Sequence, residues 1–203
     1  MKRKERLKGI KEQRREEIIS VASDAFAKKG YHLTDLEVVA DKIGVGKGTI
    51  YRYFPSKEKL FTAVMEHFMR KLSAEIIGVN IESIRNPVER LKVIIRTHME
   101  FFEKNFQLIE LFIHYRSEYK DKFKPIYMKN YARCLSKAEA LIRECVDQGL
   151  MKDIPPRAIT NILMDIFDGM IFSTFMSGSR KTFREKGRYL EEVFINNLLL
   201  TKR

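Results

Sequence analysis

The chain has 203 residues, 44% of them hydrophobic and 33% charged, a mix that excludes an intrinsically disordered protein and is ample for a buried core shared by one or two domains. Its formal charge is +12, and that sign points to a polyanion as partner, most often nucleic acid. Glycine and proline are few and no repeat is visible, so solenoid, collagen-like and low-complexity architectures are excluded as well.

The basic excess lies toward the front. Residues 1–71 hold 17 Lys and Arg against 10 Asp and Glu, and Lys2, Arg3, Lys4, Arg6, Lys8, Lys11, Arg14 and Arg15 face only Glu5 and Glu12 in the first fifteen. Residues 1–11 read as a basic arm, either a solvated tail or a loose segment lying along phosphates. Ile18, Ile19, Ala22, Ala25 and Phe26 form one apolar stripe and predict a helix over about 12–29, with Gly30 placed to end it. Two very short helices follow, about 35–43 and 47–53, and then a long one from Lys57 to about Val79 with Ser56 as its N-cap.

Asn86-Pro87 opens a helix to about Lys104, and Asn105 separates it from one over about 106–118. Pro125 sits early in a helix that runs to Gln148, where Gly149 supplies the stop. Cys134 and Cys145, the two cysteines, are eleven residues apart on that helix, too far along its axis to pair, and a reducing cytoplasm is the simplest location. Pro155-Pro156 starts a helix to Ser177, and a last helix fills about 183–201. The stretch from Ala158 to Met176 is interrupted by Asp165 and Asp168, so no membrane span is expected there. The reading is an all-α protein of about nine helices. Residues 1–55 make an amino-terminal three-helix helix-turn-helix module, and residues 56–203 make a larger helical domain. The helix from Lys57 joins them without a flexible linker.

Residues 34–60, TDLEVVADKIGVGKGTIYRYFPSKEKL, carry the most information. Leu36, Val39, Ala40 and Ile43 give one helix a buried face, small Ala40 lets a second helix cross close by, and Gly44 permits a sharp turn between them. Ile50 and Phe54 bury the second helix, leaving Lys47, Thr49, Tyr51, Arg52 and Tyr53 as donors suited to base edges and phosphates. The stretch resembles the amino-terminal signature of the TetR family of transcriptional regulators. Two positions depart from that pattern: Asp35 stands where the family often has Thr or Ser, and Gly46 where it usually has Ser. Asp35 can cap a helix but would repel a phosphate, so it is set aside as a DNA contact; Gly46 keeps a backbone N–H without a hydroxyl. The resemblance implies Lys47, Gly48, Thr49 and Arg52 at or near bases. It implies Thr34, Tyr51, Tyr53 and Lys57 on phosphates, with the Gly46 backbone beside them.

The resemblance also implies that residues 56–203 are a ligand-binding and dimerisation domain, but beyond about residue 70 the family pattern gives out. His98, Phe102, Tyr115, Tyr131, Cys134 and Phe167 each lie on the apolar stripe of a helix and could line a cavity for a largely apolar small molecule. The same residues would serve an ordinary core, and His98 would then be a satisfied core histidine. The last two helices are apolar on more than one side; Phe194 is expected on the surface that meets a second copy, and the resemblance implies a four-helix bundle between subunits. Asp165 and Asp168 either pair across an interface or face solvent at its rim. With no HExxH, no CxxC, no Gly-rich phosphate loop and four scattered histidines, no catalytic residue, metal ligand or cofactor is expected. The expected function is a homodimeric transcriptional repressor that binds a palindromic double-stranded DNA operator and is released by a small apolar effector. The alternative is a DNA-binding protein of the same fold without an effector, in an architectural or cell-division role.

Overall fold

The computed structural model describes residues 2–178 and 182–200, apart from the side chains of residues 2–4, 114, 117, 122, 123, 131 and 182. The described residues form helices α1 (Lys2–Leu33), α2 (Leu36–Ile43), α3 (Lys47–Tyr53), α4 (Lys57–Gly78), α5 (Pro87–Lys104), α6 (Phe106–Glu118), α7 (Lys120–Asp147), α8 (Pro156–Ser177) and α9 (Thr182–Leu190). α9 continues through a π-type segment, Glu191–Ile195, into a last turn, α10 (Asn196–Leu198).

Most ends fall where the caps predict. Ser56 accepts the Lys59 N–H at 3.1 Å, and Asn86 accepts the Val88 N–H at 2.9 Å with Pro87 in the first turn, where its missing N–H costs nothing. Two elements differ from the sequence reading, α1 and the final helix, while α7 takes its proline inside as expected. α1 starts at Lys2, so the basic arm is helical: Lys, Arg and Glu are good helix formers, and Arg14–Glu17 (2.7 Å) and Arg15–Glu12 (3.7 Å) pair one turn apart. α7 begins five residues before Pro125, which leaves the Asp121 carbonyl without its helical donor. The final helix stops at Leu198 because the chain after it turns extended. There Lys152 donates its N–H to the Leu198 carbonyl (2.8 Å) and Leu200 donates to Leu150 (3.0 Å), pinning the chain end beside the loop after α7.

The core is continuous through both halves of the molecule. Where they meet, the Phe61 ring of α4 lies 5.0 Å from Phe26, 4.8 Å from Tyr31 and 5.2 Å from Tyr115, so α1, α4 and α6 share one aromatic cluster. The Tyr115 hydroxyl donates to Thr62 Oγ1 at 3.0 Å. Glu191 is buried in the π segment, and its carboxylate accepts two hydrogen bonds from the Arg96 guanidinium, at 2.8 and 2.6 Å.

α8 is long and apolar enough by composition to cross a membrane, but here it is built into the domain, with Ile159, Leu163, Phe167 and Ile171 buried. Its opposite side carries Ile162, Asp165, Gly169, Phe172 and Met176 in a 3, 4, 3, 4 spacing, all exposed. On the closing helix Tyr189 and Val193 are exposed, whereas Phe194 is half-buried against the core. The π segment widens the turn around residues 191–195 and shifts the register there, which a regular 3.6-residue period could not anticipate.

Candidate nucleic-acid interface

α2 and α3 are held by the stripe chemistry of residues 34–60. Leu36, Val39, Ala40, Ile50 and Phe54 are buried against Ile18, Ile19, Ala22 and Phe26 of α1. Asp35 caps α2 by accepting the Glu37 N–H at 3.0 Å, and Gly44, at φ 71°, takes the left-handed turn that a side chain would resist. Val45 follows, and Thr49 donates its N–H to the Gly46 carbonyl (2.8 Å), opening α3. Gly48, Tyr51 and Arg52 are exposed on the outer face of α3, with Lys47, Thr49 and Tyr53 partly so.

The side chains named from sequence are not equally free. Arg52 has its guanidinium 6.0 Å from the Tyr53 ring centre, and no ion pair engages it among the described residues. Lys47 Nζ lies 3.0 Å from Asp35 and 3.5 Å from Glu37, so its ammonium is tied to the cap of α2. The Glu37 N–H and then Lys47 hold the Asp35 carboxyl below its ordinary range, and the hydrogen bond to Asp35 pushes Lys47 up. Lys57 donates to the His32 carbonyl (3.0 Å) and sits 4.9 Å over the Tyr31 ring; partial burial lowers its pKa. Thr34 departs from the expectation most. Only 3% exposed, it donates its hydroxyl to the Gly30 carbonyl at 2.6 Å, with Ala25 O at 3.2 Å, so the hydroxyl closes the end of α1 rather than facing outward.

A cavity lies among α4, α5, α6, α7 and α8. His98, Phe102, Cys134 and Phe167 line it together with Met69, Leu72, Ser73, Phe112, Tyr127, Asn130, Met164, Asp168 and Ile171. Tyr115 is not among them; it belongs to the aromatic cluster around Phe61. The Tyr131 side chain lies outside the described residues. The free space inside is about 30 Å³, room for one water molecule. Tyr127 donates its hydroxyl to Asp168 (3.2 Å) and Arg116 stands 3.6 Å from the same carboxylate. Burial raises the Asp168 pKa, against the opposing pull of Arg116 and Tyr127. Ser73 and Asn130 were not singled out from sequence, because a lone polar residue on an amphipathic helix reads as surface. The available signal was Ser73's place one turn after Met69 on the inward stripe of α4.

His98 is 6% exposed, its ring stacks on Phe167 (centroids 4.4 Å apart, 13° between planes), and burial depresses its pKa to about 4. A histidine in the unfolded chain titrates near 6.5, so the unfolded state alone takes up the proton between those values. Stability is therefore full above about pH 6.5 and falls as pH drops toward 4, by about 3 kcal/mol at 1.4 kcal/mol per unit. Replacing His98 with Phe should flatten that acid limb in denaturant titrations run from pH 7 to 4. An unchanged limb would take His98 out of the acid response.

Residues 18–64 match the model of the bacterial regulatory proteins of the tetR family. Residues 18–64 thus carry the amino-terminal domain of that family. Proteins similar to the chain include the HTH-type transcriptional repressor KstR2 of Mycobacterium tuberculosis, 28% identical over 108 residues, which are 53% of this chain and 54% of that protein. The chain thus spans about half the length of the first curated relatives it matches. The nucleoid occlusion factor SlmA of Haemophilus influenzae is 23% identical over 194 residues, 91% of this chain and 87% of its own. A TetR transcription regulator from Haloarcula marismortui shares the fold, with a TM-score of 0.82 at 21% identity over 93% of this chain and all of that one.

Proposed function

We propose that this TetR-family protein is a transcriptional repressor that binds a palindromic operator as a homodimer. The observation that carries the reading is the outer face of α3, where Gly48, Thr49, Tyr51 and Arg52 lie outward on a helix that Ile50 and Phe54 anchor in the core. In this reading α3 enters the major groove; Gly48, Thr49 and Arg52 meet base edges, joined by Lys47 once it leaves Asp35, an exposed pair that exchanges readily. Tyr51, Tyr53 and Lys57 hold phosphates, with the Gly46 backbone N–H beside them. The outward stripe of α8 and the exposed Tyr189 and Val193 supply the subunit contact, and Gly169 in mid-stripe permits close approach of a second helix.

Selection of duplexes from a random library is the direct test, with two half-sites related by a twofold axis as the expected product. On the selected operator Arg52→Ala should cost about 1–3 kcal/mol while leaving random duplex nearly unaffected. Equal losses on both would move Arg52 to the phosphates.

The proposed effector is small and mostly apolar, seated in the cavity behind His98 and Phe102. Met69, Leu72 and Ser73 put α4 in the cavity wall, and α4 begins four residues after α3 ends, so widening the cavity would tilt the reading head. A ligand of ordinary size needs about 300 Å³ or more, so the space must open to admit it. The small free volume and the near full-length similarity to a nucleoid occlusion factor favour a second reading, DNA binding without an effector. A compound that raises the melting temperature and weakens operator binding in proportion supports the first reading. Uniform silence across a broad metabolite library supports the second.

A further inference from the structure

The amino-terminal extension of α1 has no role in the helix-turn-helix. Residues 5–13 are exposed on every side, touching nothing that would fix them, and a helix that short is marginal in water without a partner. Its charge is placed rather than scattered. Ile18, Ile19, Ala22 and Phe26 mark the face of α1 that is buried in the module. Stepping back along the same face by three, four and three residues gives Arg15, Lys11 and Lys8, so the packed stripe turns into a row of cations where the module ends. Glu5 and Glu12 fall to one side of that row and the exposed Leu7 and Ile10 to the other.

The row begins beside the reading helix. The Arg15 guanidinium lies 5.3 Å from the ring centre of Phe54, the residue that closes α3, while also reaching Glu12 and Glu16. Lys8 and Lys11 are exposed, and no ion pair engages either among the described residues. We infer that this extension is a second DNA contact, in which Lys8 and Lys11 follow the phosphates flanking the groove that α3 enters. The inference rests on the DNA-binding reading above and adds to it a sequence-independent grip outside the motif. A stripe of ammonium groups without planar, forked donors suits phosphates better than base edges.

The test compares Lys8→Ala/Lys11→Ala with a control of equal charge change, Lys129→Ala/Lys152→Ala, on exposed positions of the other domain. Alanine keeps the helix. Binding to a random-sequence duplex of about 30 base pairs is followed by anisotropy over a salt series, where each lost phosphate contact removes about 0.9 from the log–log slope. The expected result is a slope lower by about 2 per subunit for the first variant, several-fold weaker binding at low salt, and no change of slope for the control. An unchanged slope for the first variant overturns the inference alone, and so does an equal loss in the control, which would make the effect one of net charge. A loss confined to anionic vesicles, with DNA binding intact, would overturn it in favour of a lipid surface. Failure of the unaltered protein to bind any duplex at low salt would overturn the parent reading together with this one.

Discussion

Phe172→Glu should yield a folded, soluble subunit that no longer pairs with its copy. Phe172 is 55% exposed in the subunit, so a carboxylate there stays in water and disturbs nothing inside. In the proposed dimer the same position lies next to Gly169 at the middle of the contact, and twofold symmetry brings two carboxylates into an apolar seam. Burying an unpaired charge costs several kcal/mol, and at about 4 kcal/mol association weakens about a thousandfold. Light scattering at micromolar concentration should report the monomer mass, and operator binding should fall with it, since one reading head holds only half the site. A dimer of unaltered affinity would place the subunit contact elsewhere. Phe194 would be a poor choice for this experiment: its partial burial against the core means a glutamate there would damage the fold and blur the result.

The second large effect belongs to the joint between the domains. Phe61→Ala should lower unfolding stability by about 3–5 kcal/mol, because a fully buried ring is removed and its aromatic neighbours come from two other helices that cannot both close in. For a chain of this size that is a fall in melting temperature of about 10 °C. Phe26, Tyr31 and Tyr115 all lose their central contact, so the head should also be less firmly set against α6, and operator affinity should drop beyond what the unfolded fraction explains. A loss under about 1 kcal/mol would show that the cluster repacks around the gap.

Much of this architecture could be read from residues alone. The ends of α3, α5, α6 and α8 follow from local punctuation: Gly46, Asn86-Pro87, Asn105, Pro155-Pro156 and Gly178 act within one or two residues of themselves. The features that escaped are made by partners that only the folded chain brings together. Thr34 looks like a surface hydroxyl until Gly30 bends the chain back over it. Lys47 looks free until the cap of α2, twelve residues earlier, comes within 3.0 Å. Tyr115 has the spacing of a cavity residue, and only the approach of Phe61 and Thr62 from another helix makes it part of the joint. Glu191, where the register changes, is held by Arg96, ninety-five positions away. Four of the six cavity candidates come together because each lies on its helix's most apolar line, which is a local property; how far apart their walls stand is not.

The two cysteines have a practical consequence. Burial pushes the Cys145 thiol to about 11 and raises Cys134 as well, and neither is in a disulfide. Since the thiolate is the reactive form, about one Cys145 in ten thousand is ionised at pH 7, and maleimide or methanethiosulfonate reagents should pass both residues slowly. The protein is thus close to a blank background for site-directed labelling. A single cysteine in place of Lys42, exposed at the end of α2, would carry a spin label or fluorophore almost alone. In a symmetric pair of subunits, dipolar spectroscopy between two such labels becomes a ruler for the separation of the reading heads.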